Sequence, residues 1–385
     1  MHRTIWAAIV LATTISFAFT RPALAQTESP PSVPSNTGIG LKQADATAVP
    51  PAVNGFAQPL EASPPPEGPS GRQPDPDASP LFHGGAMPLL NPTVGHAVFR
   101  ADYRATWLPD QSVIGQPARL GYLQQEVGIT GPIWQDCSNE WTASLHVGNE
   151  LFHTLAVFPD SGQPFPQDLW NIRLATSYRH LFENGWIAGA TVSVGSASDR
   201  PFNSINEMTA GINAFLRVPS GDHNAWLFSL SYSSNSELPI PIPGVAYVWQ
   251  VADNLVLNLG LPFMVLYRPT DDLTLECSYM LISTVHARAT YRLAKPVRIY
   301  AGYDWGNESY LPANRLNDND RLFYYSQRLT GGVKAYLSKN VSLDLSGGYV
   351  FDRYYFEGHS ISDSNHNRIN VGDGPFLSLQ CQVWW

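Results

Sequence analysis

The feature that most constrains this chain is a two-residue alternation of apolar and polar side chains, sustained again and again over about ten residues. Successive side chains of a β-strand point to opposite faces, so each such stretch reads as a strand with one apolar and one polar side. The clearest case sets Trp170, Ile172, Leu174, Thr176 and Tyr178 against Asn171, Arg173, Ala175, Ser177 and Arg179. A Glu183-Asn184-Gly185 turn follows, after which Trp186, Ala188, Ala190, Val192 and Val194 oppose Gly189, Thr191, Ser193 and Gly195. Asn-Gly between two alternating runs is a hairpin signature. The pattern returns at Phe99 to Trp107, Val285 to Leu293, Val297 to Trp305 and Val341 to Phe351, and again in the final segment.

Two architectures produce this alternation: a soluble sandwich and a transmembrane barrel. Strand length separates them, since sandwich strands run about 5 to 6 residues and a tilted strand needs about 9 to 11 to cross a bilayer. The connections point the same way. Short turns at 183–185, 219–224, 252–254, 269–272, 294–296 and 338–340 alternate with longer links at 198–204, 235–243, 309–320 and 357–373. Barrels of outer membranes have that asymmetry. The expected fold is therefore all-β, an antiparallel transmembrane β-barrel over residues 91–385. Pro262 and Pro269 interrupt the alternation between Leu255 and Leu293. The tally is thus about 16 strands, or about 12 to 14 if irregular segments are loops, and an even number is expected.

Composition agrees where it bears on the choice. Charged residues are 14% and aromatics 12%, against roughly 25% charged in soluble domains. A net charge of -9 and the lack of a Lys/Arg run argue against a nucleic-acid partner. Cys137, Cys277 and Cys381 have neither disulfide nor zinc spacing, and Cys277 and Cys381 share the apolar parity of their segments. No metal or cofactor is expected. Residues 1–25 read as a signal peptide: a basic start at Arg3, an apolar run from Ile5 to Phe19, then Ala23-Leu24-Ala25. Residues 26–90 are proline-rich, as in "EASPPPEGPSGRQPDPDASP", and read as a disordered periplasmic tether.

The chain closes on "GPFLSLQCQVWW", where Leu377, Leu379, Cys381, Val383 and Trp385 oppose Ser378, Gln380 and Gln382. On this segment and the repeated hairpins, residues 96–385 resemble a Gram-negative outer-membrane β-barrel. That resemblance makes Trp385 the counterpart of the terminal aromatic read by the barrel-assembly machinery, with Trp in place of the more usual Phe. The stretch "PIPGVAYVWQVADNLVLNLGLPF" with the following "YRPTDDL" also resembles a barrel domain family of unknown function. Trp107, Trp170, Trp186, Trp226, Trp249 and Trp305 fall near strand ends and are expected to form a girdle among lipid head groups.

The polar parity collects Arg100, Arg104, Arg173, Arg179, Arg217, Arg288, Arg292, Arg298, Arg328 and Lys334, against Asp102, Glu207, Glu276, Asp304, Asp344 and Asp352. Charge on that face needs water or a partner, because Arg or Lys at the lipid midplane costs roughly 2 to 4 kcal/mol. These residues are the candidate lumen lining. They fit either a pore favouring small anionic solutes or a set of cross-strand pairs filling a plugged, structural or adhesive barrel. A third reading is a membrane-embedded lipid hydrolase using His359, Ser360, Ser362, Asp363 and His366 in the loop "EGHSISDSNHNR". Passive, porin-like passage is the preferred expectation, without enzymatic activity.

Overall fold

The computed structural model describes residues 94–385 apart from 222 and 281–283. The expected signal peptide and proline-rich tether lie outside the described residues. The strands are β1 (Arg100–Ser112), β2 (Arg119–Gln135), β3 (Asn139–Thr154), β4 (Asp168–Leu181), β5 (Ile187–Ser198) and β6 (Met208–Pro219). They continue as β7 (Ala225–Ser233), β8 (Ile242–Ala252), β9 (Leu255–Gly260), β10 (Phe263–Tyr267), β11 (Leu273–Met280) and β12 (Thr284–Ala294). The last are β13 (Val297–Tyr310), β14 (Arg321–Ser338), β15 (Val341–Gly358), β16 (Ile369–Val371) and β17 (Gly374–Trp384).

Strands β1 to β16 pair antiparallel with their sequence neighbours, β17 pairs with β15, and β1 pairs with β17 from Arg100↔Trp384 to Trp107↔Leu377, so the sheet closes on itself. The three-residue β16 is the upper end of the stave that β17 completes, and the ring has 16 staves. Closure leaves no edge of unpaired amides, the condition for a sheet to lie in hydrocarbon. The seam is fastened at its lower end, where Trp385 N donates to Phe99 O at 3.0 Å. The Trp385 and Phe99 rings stack with centroids 5.8 Å apart.

Register carries the alternation around the ring. Leu174 faces Leu145 and Val194, while Arg173 beside it faces His146 and Gly195. Because the side-chain period is two, apolar parity is outward on every such pair. Leu174 is 55% exposed and Val192, Val194, Leu345 and Leu377 are exposed with it. Cys277 and Cys381 keep their outward parity, and Cys137 sits exposed in a turn.

Strand length is less uniform than the alternation suggests. β14 and β15 each run 18 residues, whereas β9 has 6 and β10 has 5. Pro262 lies in the two-residue link between the last two, and Pro269 in the following turn. One inward expectation fails through a bulge. The β14–β15 register slips between Tyr325 and Gln327, Asp352 takes φ +49°, and its carboxylate accepts from outward Gln327 Nε2 at 2.9 Å. Glu207 is also not a wall residue; it belongs to a short 3-10 turn, Ile205–Glu207, in a long loop.

Candidate functional site: the barrel interior

The interior divides into a charged lower part, an aromatic upper part and a side lobe. On the lower wall, Arg104 pairs with Glu126 at 3.3 Å and Arg179 with Glu140 at 3.6 Å. His286 bridges Glu276, at 3.3 Å, and Asp304. Tyr300 Oη donates to Asp344 at 2.7 Å, and Arg288 lies 4.2 Å over the Tyr300 ring. Gly332 makes room for that ring, since a Cβ there would meet Tyr300 Cζ at 2.4 Å. Lys334 donates to Gln382 at 3.3 Å and Arg298 lies over Tyr336. Arg292 reaches Asp272 at 3.7 Å at the short-turn rim.

The basic excess expected from the sequence therefore faces inward, partly paired. Arg100, Asp102, Arg104, Arg173, Arg179, Arg217, Arg288 and Arg298 keep some exposure, so this wall meets solvent. Arg217 Nε and Arg288 Nε are buried without hydrogen-bond partners among the described residues.

Above this wall the interior is dry. Leu108, Tyr122, Phe152, Phe165, Leu169, Ala197, Tyr310, Leu322, Tyr324, Val350, Tyr355 and Phe376 form one buried cluster. Residues from well-separated staves meet directly. Tyr122 Oη and Tyr324 Oη are 3.3 Å apart, and Phe165, carried by the loop between β3 and β4, meets the Tyr355 ring edge to face at 4.9 Å. Arg328, expected to line a lumen, is roofed by this cluster and donates to Tyr122 Oη at 3.3 Å. Glu150 and Glu308 face one another beneath the rings, with Gln124 donating to Glu150 at 3.0 Å.

The staves that contribute to this cluster are β1 to β5 and β13 to β17, and none from β6 to β12. At the same level Leu311 N donates to Ala197 O at 2.6 Å, joining the exit of β13 to β5 on the opposite side of the ring. The upper barrel is thus pinched into a solid part and a side lobe walled by β6 to β12. On this side of the ring a smaller apolar cluster, Ala225, Leu227, Ala246, Val248 and Met264, lies toward the short turns, with Leu227 level with Arg217.

Loop 234–241 bends over the lobe and docks on the far side of the pinch. Asn235 Nδ2 donates to Ser309 O, and the Tyr325 hydroxyl donates to Glu237. Tyr325 is outward on β14, in a buried aromatic patch with Phe323 and Phe356. Burial pushes the Glu237 carboxyl up to about 7, with the Tyr325 hydrogen bond acting the other way.

The six girdle tryptophans all point outward. Trp186, Trp226 and Trp249 lie near the short turns, and Trp107, Trp170 and Trp305 nearer the long loops. Trp107 and Trp305 are not at strand ends, because β1 and β13 run on beyond them. Trp134 and Trp141 pair on the same outer face and belong with the lower set. They escape sequence reading because the register slips between Pro132 and Trp134. The aromatic roof escapes it too, although "RLFYYSQR" and "DRYYFEG" lack alternation, which is the mark of a strand buried on both faces.

In loop 359–373 the His359 ring bonds Asn319 O and the His366 ring bonds Glu357 O, while Ser360 Oγ bonds Ser362 Oγ. Asp363 accepts from the Ser360 and His359 amides, which hold its carboxyl below the usual range. These contacts fasten the loop rather than join a serine hydroxyl to a histidine.

A closed antiparallel barrel with an even stave count, an apolar exterior and a partly charged interior is of the outer-membrane type. A model for a domain of unknown function, DUF6268, matches residues 136–379. No curated protein matches the sequence. Among solved structures, an outer membrane channel from Pseudomonas putida F1 is 12% identical, covering 76% of this chain and 96% of that one, with TM-score 0.34. OccK7 (OpdD) of Pseudomonas aeruginosa is 9% identical over 75% of this chain and 99% of its own, with TM-score 0.35. The translocator domain of the autotransporter NalP from Neisseria meningitidis is 11% identical over 77% and 91%, with TM-score 0.28.

Proposed function

The chain belongs to the DUF6268 family, and from that premise we propose that it is an exported outer-membrane barrel passing small anionic solutes through its side lobe. In this reading the N-terminal segment directs export, Trp385 is read by the barrel-assembly machinery, and the short turns face the periplasm. The girdle tryptophans and the outward belt bind outer-membrane lipid. Solute meets the basic lower wall first, where Arg100, Arg173 and Arg217 favour anions. The aromatic roof bars the axial route, leaving the space between β6 and β12 as the path and loop 234–241 as its cover.

The observation carrying this reading is the restriction of the roof to one side of the ring, with polar Asn213, Ser229 and Ser231 facing into the other. The test is single-channel recording in planar bilayers. Stepwise conductance with a reversal potential favouring anions supports the reading, and deletion of residues 235–241 is expected to raise the open fraction. A second reading, a plugged structural barrel, is favoured by the dry aromatic cluster across the upper staves. Silence from both the intact chain and the loop deletion would establish that one instead.

A further inference from the structure

At the pinch, outside the interior proper, a cavity of about 240 Å³ opens between the long loops. Its polar lining includes Arg321, Arg315, His359 and Ser234, and its apolar lining includes Met208 and Leu311. The two arginines differ. Arg315 donates to the carbonyls of Pro312, Asn206 and Asp318 and stands 3.9 Å from buried Glu207, so its charge is already answered. Arg321 is only 7% exposed, with no carboxylate within ion-pair distance among the described residues; Asp320 beside it in the chain supplies a partial counter-charge, and the Arg315 charge opposes its own. Its Nη1 donates to His359 O at 2.8 Å and its Nη2 to Ser234 O at 3.1 Å, while Nε is buried without a partner.

A guanidinium has five N–H donors, and burying its charge against two carbonyls, with Asp320 near but not paired to it, leaves it undercompensated. Nη1 and Nη2 each keep a second N–H, and an oxyanion entering the cavity would take those, the paired arms matching a planar carboxylate. Met208 and Leu311 supply an apolar wall for the rest of the guest. Asp318 also lines the space, which disfavours a guest of high negative charge. At about 30 Å³ per water, the volume holds on the order of eight non-hydrogen atoms.

We propose that this cavity binds a small monocarboxylate with an apolar body, held by Arg321. The site stands apart from the passage reading, since a protein silent in bilayers would still bind. The test is calorimetric titration of the full-length protein in detergent with hexanoate, using 1-hexanol and inorganic phosphate as comparisons. Hexanoate is expected to bind saturably, with 1-hexanol and phosphate at least about 10-fold weaker. Arg321→Gln is expected to weaken hexanoate by about 10-fold or more, and Arg321→Lys by less. Met208→Trp, which fills the cavity and leaves Arg321 in place, is expected to abolish binding. Heat-modifiable mobility on gels confirms that each variant is folded, and Met208→Trp alone decides the matter if Arg321→Gln is not. Non-saturable hexanoate, equal binding of 1-hexanol, tighter binding of phosphate, or unchanged affinity in the folded variants would each overturn the proposal.

Discussion

Loop 234–241 should release as pH rises, and Glu237 should be the reason. Its carboxyl lies near 7 when the loop is docked, against an ordinary value of 4.5. A group whose acidity is weakened by docking binds more protons in the docked state than in the free one. The docked state is then fully favoured below about 4.5 and loses that advantage as pH climbs through about 7. Between pH 5 and pH 8 the full linkage amounts to roughly 2.5 kcal/mol at 1.36 kcal/mol per unit. Allowing for solvent screening at a loop, roughly 1 to 2 kcal/mol is expected, about a tenfold shift in the ratio of released to docked loop. Amide hydrogen exchange over residues 234–241 at the two pH values, corrected for intrinsic rates, measures that ratio directly. Glu237→Gln keeps the shape and removes the titration, so its protection should hardly change with pH. Equal pH sensitivity of the two proteins, or protection that grows with pH in the parent chain, would refute the reasoning.

Three further outcomes are expected. Tyr355 is fully buried, and its hydroxyl has no hydrogen-bond partner among the described residues. Tyr355→Phe should leave urea stability in lipid vesicles unchanged or raise it, while Tyr355→Ala should cost about 3 to 5 kcal/mol. Leu174→Arg places a charge at the middle of β4 on the exposed face. It should cost roughly 2 to 4 kcal/mol in the same assay, whereas Leu174→Phe should be near neutral. Trp385→Ala removes the ring stacked on Phe99, a loss of about 1 kcal/mol at the seam; the folded fraction recovered from membranes should fall, and Trp385→Phe should restore it.

The wall was legible in the sequence because its determinant is local. Arg173 and Leu174 differ by one position and therefore by one face, wherever the strand lies in the ring. The same locality explains the failures. Asp352 was assigned inward by counting in twos, and one extra residue in β15 sends it outward. Trp134 and Trp141 fall beside another slip in the count. The aromatic roof is a different matter, since the meeting of Tyr122 with Tyr324 depends on which staves the closed ring brings face to face. No window of ten residues or so holds that information. Arg321 was invisible for the same reason: its partners are carbonyls of residues 234 and 359, in two loops far apart in the sequence.

The brevity of β9 and β10 bears on the lipid around the barrel. At about 3.3 Å per residue and a tilt near 40°, five or six residues rise only about 13 to 15 Å, against an apolar band of about 25 Å on a typical outer-membrane protein. A bilayer beside that sector would meet a shorter wall than beside β14 and β15, and thinning is one way to match it. Such one-sided mismatch costs free energy for every ångström of distortion. Two molecules that turned their thin sectors toward each other would share a single dimple.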